Sequence, residues 1–389
     1  MESTTADIGN VGAALIKANL LYEGVNFTDE FLKNYREPFL AKRRAYGNSD
    51  AFRFTFMTIP QELYIGEERL VCGVHARETS GWILDCDLEQ RFLLKFGETP
   101  ICKVDFPKRP GFYDSQLSAG KVGRQVGTLY GGGSLGIFVY GSCALVDAEK
   151  PCGYCSIAPN RSQQTDFAEV VRPQDVYELT LAALRDPRST ITQVMINGGN
   201  FKDRNKGFTH YTRICEAARR AIDECGRPEV ELHLIVFPPE NVELVSDLVP
   251  LGVCMAMNME VFDEGIFAEV CPGKEEIGGH KVIFDTLSYA VDRLGAGNVF
   301  SIMVGGLEPV SSMSEGFDFL TRLGVVPVVN VFHADPGTPL ENHPIPRPEL
   351  IMEMGRALQN SYRSNSFTRP FYLNCGRNAI DTEAHRGLF

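Results

Sequence analysis

From residue 135 to about 331 the chain alternates apolar runs with longer helical segments, and this alternation limits the fold more than any other feature. The run Leu135-Gly-Ile-Phe-Val-Tyr-Gly141 reads as a buried strand, since β-branched and aromatic residues stand between glycines. Further strands are predicted near 191–197, 230–237, 252–258, 298–304 and 325–331. Helices are predicted near 172–185, 208–224, 240–249, 280–294 and 310–323, with a last one near 347–363. Strands separated by helices pair in parallel through right-handed crossovers, so six β/α units of an α/β fold are expected.

The first third of the chain reads differently. Residues 1–50 look helical and amphipathic, with a helix start in Asn26-Phe-Thr-Asp-Glu30 and a basic face from Lys33, Arg36, Lys42, Arg43 and Arg44. Residues 51–110 hold short runs such as Phe52-Arg-Phe-Thr-Phe56 and Arg91-Phe-Leu-Leu-Lys95 between turn-forming residues, which predicts a small β-rich module. Pro107-Lys-Arg-Pro-Gly-Phe-Tyr-Asp114 reads as a linker. The expected divisions are 1–110, 111–340 and a C-terminal helix and tail over 341–389.

Composition narrows the function. The 389 residues carry 38 basic and 50 acidic side chains, a net charge of −12, which argues against nucleic-acid or anionic-membrane partners. The N-terminus lacks the basic-then-apolar layout of a secretory signal, and no run of eighteen apolar residues predicts a membrane span. Eleven cysteines are too sparse for a disulfide scaffold and suit a reducing compartment, so a cytoplasmic location is expected.

Three of those cysteines form the chemical motif, Cys143-Ala-Leu-Val-Asp-Ala-Glu-Lys-Pro-Cys152-Gly-Tyr-Cys155, immediately after the first predicted strand of the alternating region. Three thiolates on a four-iron cluster leave one iron open to a small molecule. A structural zinc site is the rival reading, but it needs a fourth ligand, and the next histidine is His210. A redox pair of Cys152 and Cys155 is another, and it leaves Cys143 without a role.

With this motif at this position, residues 112–340 resemble the radical S-adenosylmethionine superfamily. The resemblance implies a partial (β/α)6 barrel of TIM type with an N-terminal helical and β-rich extension. It also implies a [4Fe–4S] cluster on Cys143, Cys152 and Cys155 that reductively cleaves S-adenosylmethionine. The commonest spacing in that superfamily places three residues between the first two cysteines, whereas eight stand here; the aromatic before the last cysteine is kept, as Tyr154. A small-molecule substrate and a flavodoxin- or ferredoxin-type electron donor follow from the same resemblance.

In a parallel α/β barrel the functional groups lie at the carboxyl ends of the strands. After the second strand, Gly198 and Gly199 of Met195-Ile-Asn-Gly-Gly-Asn200 resemble the superfamily's contact for the cofactor's amino group, with Asn200 where a Glu often stands. Paired glycines let a backbone approach a ligand, so Gly199→Val is expected to weaken cofactor binding with the cluster left in place. After the fourth strand, Asn258 and Glu260 resemble the ribose- and amino-acid-contacting segment. After the fifth, Gly305 and Gly306 resemble a methionine or adenine contact. After the sixth, His333 precedes a Pro-Gly-Thr turn and is a candidate substrate contact or proton relay. Arg161 is a candidate partner for the cofactor carboxylate.

The branch is similar to biotin-synthase-like proteins and to archaeal-type lipoyl synthases, some of which insert sulfur. Cys72, Cys86, Cys102 and Cys375 are therefore candidates for a second, sulfur-donating cluster. Rearrangement, epimerisation and methylation are alternative outcomes. A non-catalytic iron–sulfur or zinc protein is the alternative of another class.

Overall fold

The computed structural model describes residues 12–35, 59–159 and 170–389, and shows a mixed α/β fold. The strands are β1 Asn26–Phe27, β2 Glu62–Ile65, β3 Leu70–Gly73, β4 Trp82–Cys86, β5 Phe92–Phe96, β6 Thr99–Asp105, β7 Gly127–Tyr130 and β8 Ser134–Phe138. They continue as β9 Gln193–Asn197, β10 Glu231–Ile235, β11 Val253–Ala256, β12 Val299–Gly305 and β13 Val326–Val331.

Strands β8 to β13 lie side by side in chain order and are parallel throughout. Their side chains are buried almost without interruption, as expected of a parallel sheet both of whose faces are shielded from water. The sequence missed β7, which pairs antiparallel with β8 through a glycine turn with Gly131 and Gly132 at positive φ. The helices Pro173–Arg185, Arg204–Glu224, Gly279–Leu294, Val310–Arg322 and Pro348–Ser364 fall near their predicted places.

Two local elements differ from expectation. The segment Val242–Leu251 is a 3-10 helix containing Pro250, whose missing N–H and ring bulk disfavour the wider α-helical turn. Between β11 and the helix Gly279–Leu294 two short helices intervene, Glu264–Val270 and Pro272–Glu276, each too brief to register as a period.

The N-terminal region forms a six-stranded sheet in the order β1-β4-β5-β6-β2-β3. Thr28 caps the helix Asp29–Asn34 by accepting from Phe31 N–H at 3.0 Å, where a helix start is expected. Phe31 packs edge-on against Phe92 and Phe106. The run Phe52–Phe56, Arg36, Lys42, Arg43 and Arg44 lie outside the described residues. Pro107–Asp114 is not a free linker: Phe112 and Tyr113 are buried, and Asp186 accepts from the Gly111 and Phe112 N–H groups. Apolar burial outweighs the turn-forming prolines there.

The C-terminal tail returns to the parallel sheet. Val331 N–H donates to Asn378 O at 2.9 Å and Ile380 N–H to Val329 O at 3.1 Å, so the tail covers the exposed edge of β13.

Candidate functional site: two joined chambers at the strand ends

Strand β8 ends at Phe138, and the chain then passes across the mouth of the sheet. Gly199 N–H donates to Tyr140 O and Ala144 N–H to Asn200 O, both at 2.8 Å, which ties the cysteine loop to the end of β9. Cys143 opens a helical turn, Ala144–Asp147, and the eight residues between Cys143 and Cys152 use that turn to reverse the chain. Gly153 N–H donates to Val270 O at 2.7 Å and Leu340 N–H to Gly153 O at 2.9 Å, which pins the Cys152–Cys155 turn from two sides.

The three cysteines line a chamber of about 300 Å³ together with Tyr154, Gly198, Gly199, Asn200, Asn258 and Glu260. A second chamber of about 340 Å³ adjoins the first and shares Tyr154, Cys155, Asn197, Asn258, Glu260 and Asn330 with it. His333 lines the second chamber and pairs through Nδ1 with Asp335 Oδ1 at 3.0 Å. The half-buried His75 ring lies 5.6 Å from His333, between centroids. Asn258 Oδ1 is buried at the junction with no hydrogen-bond partner among the described residues, an acceptor that a bound donor would satisfy.

Other predicted residues lie elsewhere. Gly305 and Gly306 line neither chamber: a Cβ on Gly305 would meet Val329 and Met354, and one on Gly306 would meet Pro346. Gly199 lines the first chamber, but a Cβ there would fall 1.7 Å from Ser142 O, so the cysteine loop is what its bareness accommodates first. Arg161 lies outside the described residues. Cys86 and Cys102 stand on opposite sides of β5, and Cys72 is two strands beyond Cys102 in the sheet order, at about 4.8 Å per strand. Cys375 alone of these four lines the second chamber.

Several residues of the site escaped the sequence reading. Lys274, on the helix Pro272–Glu276, lines the first chamber and is ion-paired with Glu260, both being buried. Glu260 is held at φ 68°, a region that costs a non-glycine residue on the order of 1 kcal/mol or more. Cys271 is fully buried beside Cys152. Arg377 in the tail forms a buried ion pair with Glu62 of β2 and lines the second chamber. Asn330 Nδ2 donates to the Tyr372 hydroxyl at 3.1 Å. None of them carried a local signal: nothing in the sequence around Lys274, Cys271 or Arg377 marks these residues as buried.

The loop is electrostatically uneven. A hydrogen bond from Cys271 holds the Cys152 thiol below its ordinary range; burial opposes this, and the Lys274 ammonium adds to it more than Glu260 subtracts. Burial pushes Cys155 up to about 12, with the nearby Cys152 adding to the rise. Burial and then Glu260 raise Tyr154. Burial alone would lower Lys274, but Glu260 and the neighbouring thiols reverse that and keep it an ammonium.

Among the described residues, Glu231, His233 and Cys254 bring their ligand atoms within 4.8 Å of one another. They lie near the amino ends of β10 and β11, away from the chambers. The Arg369 guanidinium already donates to Glu231 at 2.7 Å and to Cys254 Sγ at 2.8 Å, supplying the positive charge a metal would bring.

No family model matches the chain. One curated relative, bacteriochlorophyllide c C-7(1)-hydroxylase of Chlorobaculum limnaeum, is 26% identical over 155 residues, which cover 38% of this chain and 39% of that protein. The chain thus matches well under half of the relative's length. Solved structures with some likeness include a radical SAM methyltransferase from Sphaerobacter thermophilus, with a TM-score of 0.45 and 12% identity over 73% of this chain and 76% of that one. The FeFe-hydrogenase maturase HydG from Carboxydothermus hydrogenoformans follows, with a TM-score of 0.41 and 12% identity over 64% and 59%. Among the described residues no helix is long and apolar enough to cross a membrane.

Proposed function

We propose that the chain is a radical S-adenosylmethionine enzyme that takes a hydrogen atom from a small molecule held in the second chamber. One observation carries the reading: three cysteines of one loop share a chamber with residues from the ends of four other strands, and that chamber adjoins a second one with which it shares lining residues. The donor set fits the group. Among the described residues three thiols line the chamber without a fourth cysteine or histidine in its lining, Cys271 being buried behind Cys152, and the buried Asn258 Oδ1 awaits a donor. When bound, a [4Fe–4S] cluster with S-adenosylmethionine supplies an electron and a carbon-centred radical able to abstract a hydrogen atom.

The chain's own residues do the rest. Cys143, Cys152 and Cys155 would hold the cluster, and Gly198 to Asn200, Asn258 and Glu260 would orient the cofactor. Phe138, Ile235, Ile302 and the Tyr154 ring wall the junction and exclude water, which would otherwise quench a reactive intermediate. His333, oriented by Asp335, can hold or pass a proton at the far end of the substrate chamber. The dispersal of Cys72, Cys86 and Cys102 favours a single cluster over a bound sulfur donor built from them. Hydroxylation, the activity for which the curated relative is named, also begins at a C–H bond and joins sulfur insertion, rearrangement, epimerisation and methylation as outcomes.

The test is iron content and cofactor cleavage after anaerobic reconstitution. About four irons per chain are expected, and a Cys143/Cys152/Cys155 triple Ala variant should lose both the iron and the release of 5′-deoxyadenosine. Cleavage retained by the triple variant would end the reading.

A further inference from the structure

Lys274 places an ammonium beside the cysteines in a position the protein has gone to some length to hold. The side chain is 10% exposed and that of its partner Glu260 is 3% exposed, so both charges have given up most of their hydration. The segment that carries the lysine is locked to the cysteine loop. Gly153 N–H reaches Val270 O at 2.7 Å, and a Cβ on Gly273 would fall 2.5 Å from Lys150 O. Pro272 opens the short helix and Cys271, immediately before it, is buried against Cys152. The lysine can therefore leave the wall only if the loop moves with it.

Both members of the pair line the chamber that Cys143, Cys152 and Cys155 share, so each charge faces the space a cluster would fill. The ring of Phe237, its centroid 5.5 Å from Nζ, covers the ammonium on another side and keeps the local polarity low. A fixed cation, with an anion beside it, is thus built into the wall next to the three thiols.

We propose that Lys274 is a positioning residue for the cluster: a fixed positive charge that favours the reduced state of a [4Fe–4S] group on Cys143, Cys152 and Cys155, with Glu260 limiting its strength. The inference rests on the cluster reading above. Reduction takes one electron from an external donor, breaks no bond, and adds one negative charge to the cluster. A neighbouring cation stabilises that charge, and a neighbouring anion destabilises it.

The experiment is an EPR-monitored redox titration of the full chain, anaerobically reconstituted and free of S-adenosylmethionine. Lys274→Met should load as much iron as the wild type, expected at about four per chain, while its reduced-to-oxidised ratio at a fixed potential falls about tenfold, or 59 mV for one electron. Lys274→Arg should stay within about threefold of the wild type, and Glu260→Gln should shift the ratio the opposite way. The double variant Lys274→Met/Glu260→Gln leaves no unpaired buried charge, so it serves if Lys274→Met does not fold; its ratio should fall below that of Glu260→Gln alone. Unmoved ratios in loaded proteins, shifts of one sign in both single variants, or no rescue by arginine would each overturn the role. A wild type that binds no iron would instead defeat the cluster reading itself.

Discussion

Gly199 shows how a motif glycine can line a chamber and yet be bare for a different reason. Its chamber position matches a ligand contact, yet its missing side chain first makes room for Ser142 O. Gly199→Ala is therefore expected to displace the cysteine loop, at an overpacking cost of about 1–3 kcal/mol, and to lower iron loading after reconstitution. Normal loading with weakened cofactor binding would return the glycine to the simpler role of ligand approach. His75 makes a second residue-level prediction. Burial, and then the neighbouring His333, hold its imidazole down to about 3 from 6.5. The folded state keeps the ring neutral where an unfolded chain would take up a proton. Its contribution to stability is thus complete above pH 6.5 and is lost as pH falls toward 3. Unfolding free energies from urea titrations between those pH values should fall less steeply for His75→Gln than for the wild type, the difference being on the order of 3–5 kcal/mol.

At the scale of elements, the segment from β11 to the helix Gly279–Leu294 decides the shape of the first chamber. Two short helices there carry Cys271 and Lys274 to the cysteine loop, and the left-handed Glu260 starts the detour. Glu308 supports the turn by accepting from the Phe262 and Asp263 N–H groups at 2.9 and 3.0 Å. The loop Ala144–Pro151 is the matching half: its helical turn is what lets an eight-residue gap return Cys152 to the wall that Cys143 already lines. The two halves are hydrogen-bonded at Gly153 and close-packed at Gly273, so they form one rigid frame.

At the scale of the whole molecule, both ends of the chain build the second chamber. The tail supplies Tyr372, Cys375 and Arg377, and the N-terminal sheet holds Arg377 through Glu62. The same two regions meet at Lys17, 2% exposed, whose Nζ donates to Glu383 and to Ala379 O, each at 2.6 Å. Lys17→Met would leave Glu383 buried and unpaired, and should cost about 3–5 kcal/mol in chemical denaturation. Lys17→Met/Glu383→Leu should recover most of that loss. A single variant within about 1 kcal/mol of the wild type would show that the tail docks by apolar packing alone.

Much of this architecture could be read from local pattern. Strand runs such as Val299–Gly305 are apolar because both faces are covered, and the helix Pro348–Ser364 has its apolar face at helical spacing, so each element carries its own period. The cysteine motif was legible for the same reason: its spacing is short and its position after β8 is local. What neighbours across long stretches of sequence contribute was not legible. Lys274 meets Glu260 over a detour without periodicity, and Arg377 meets Glu62 across 315 positions. Cys72, Cys86 and Cys102 are near in sequence but fall on strands that pairing sets apart. Sequence determines which segments bury a face; only the tertiary structure decides which buried charges and thiols meet, because that depends on strand order and loop closure rather than on any local period.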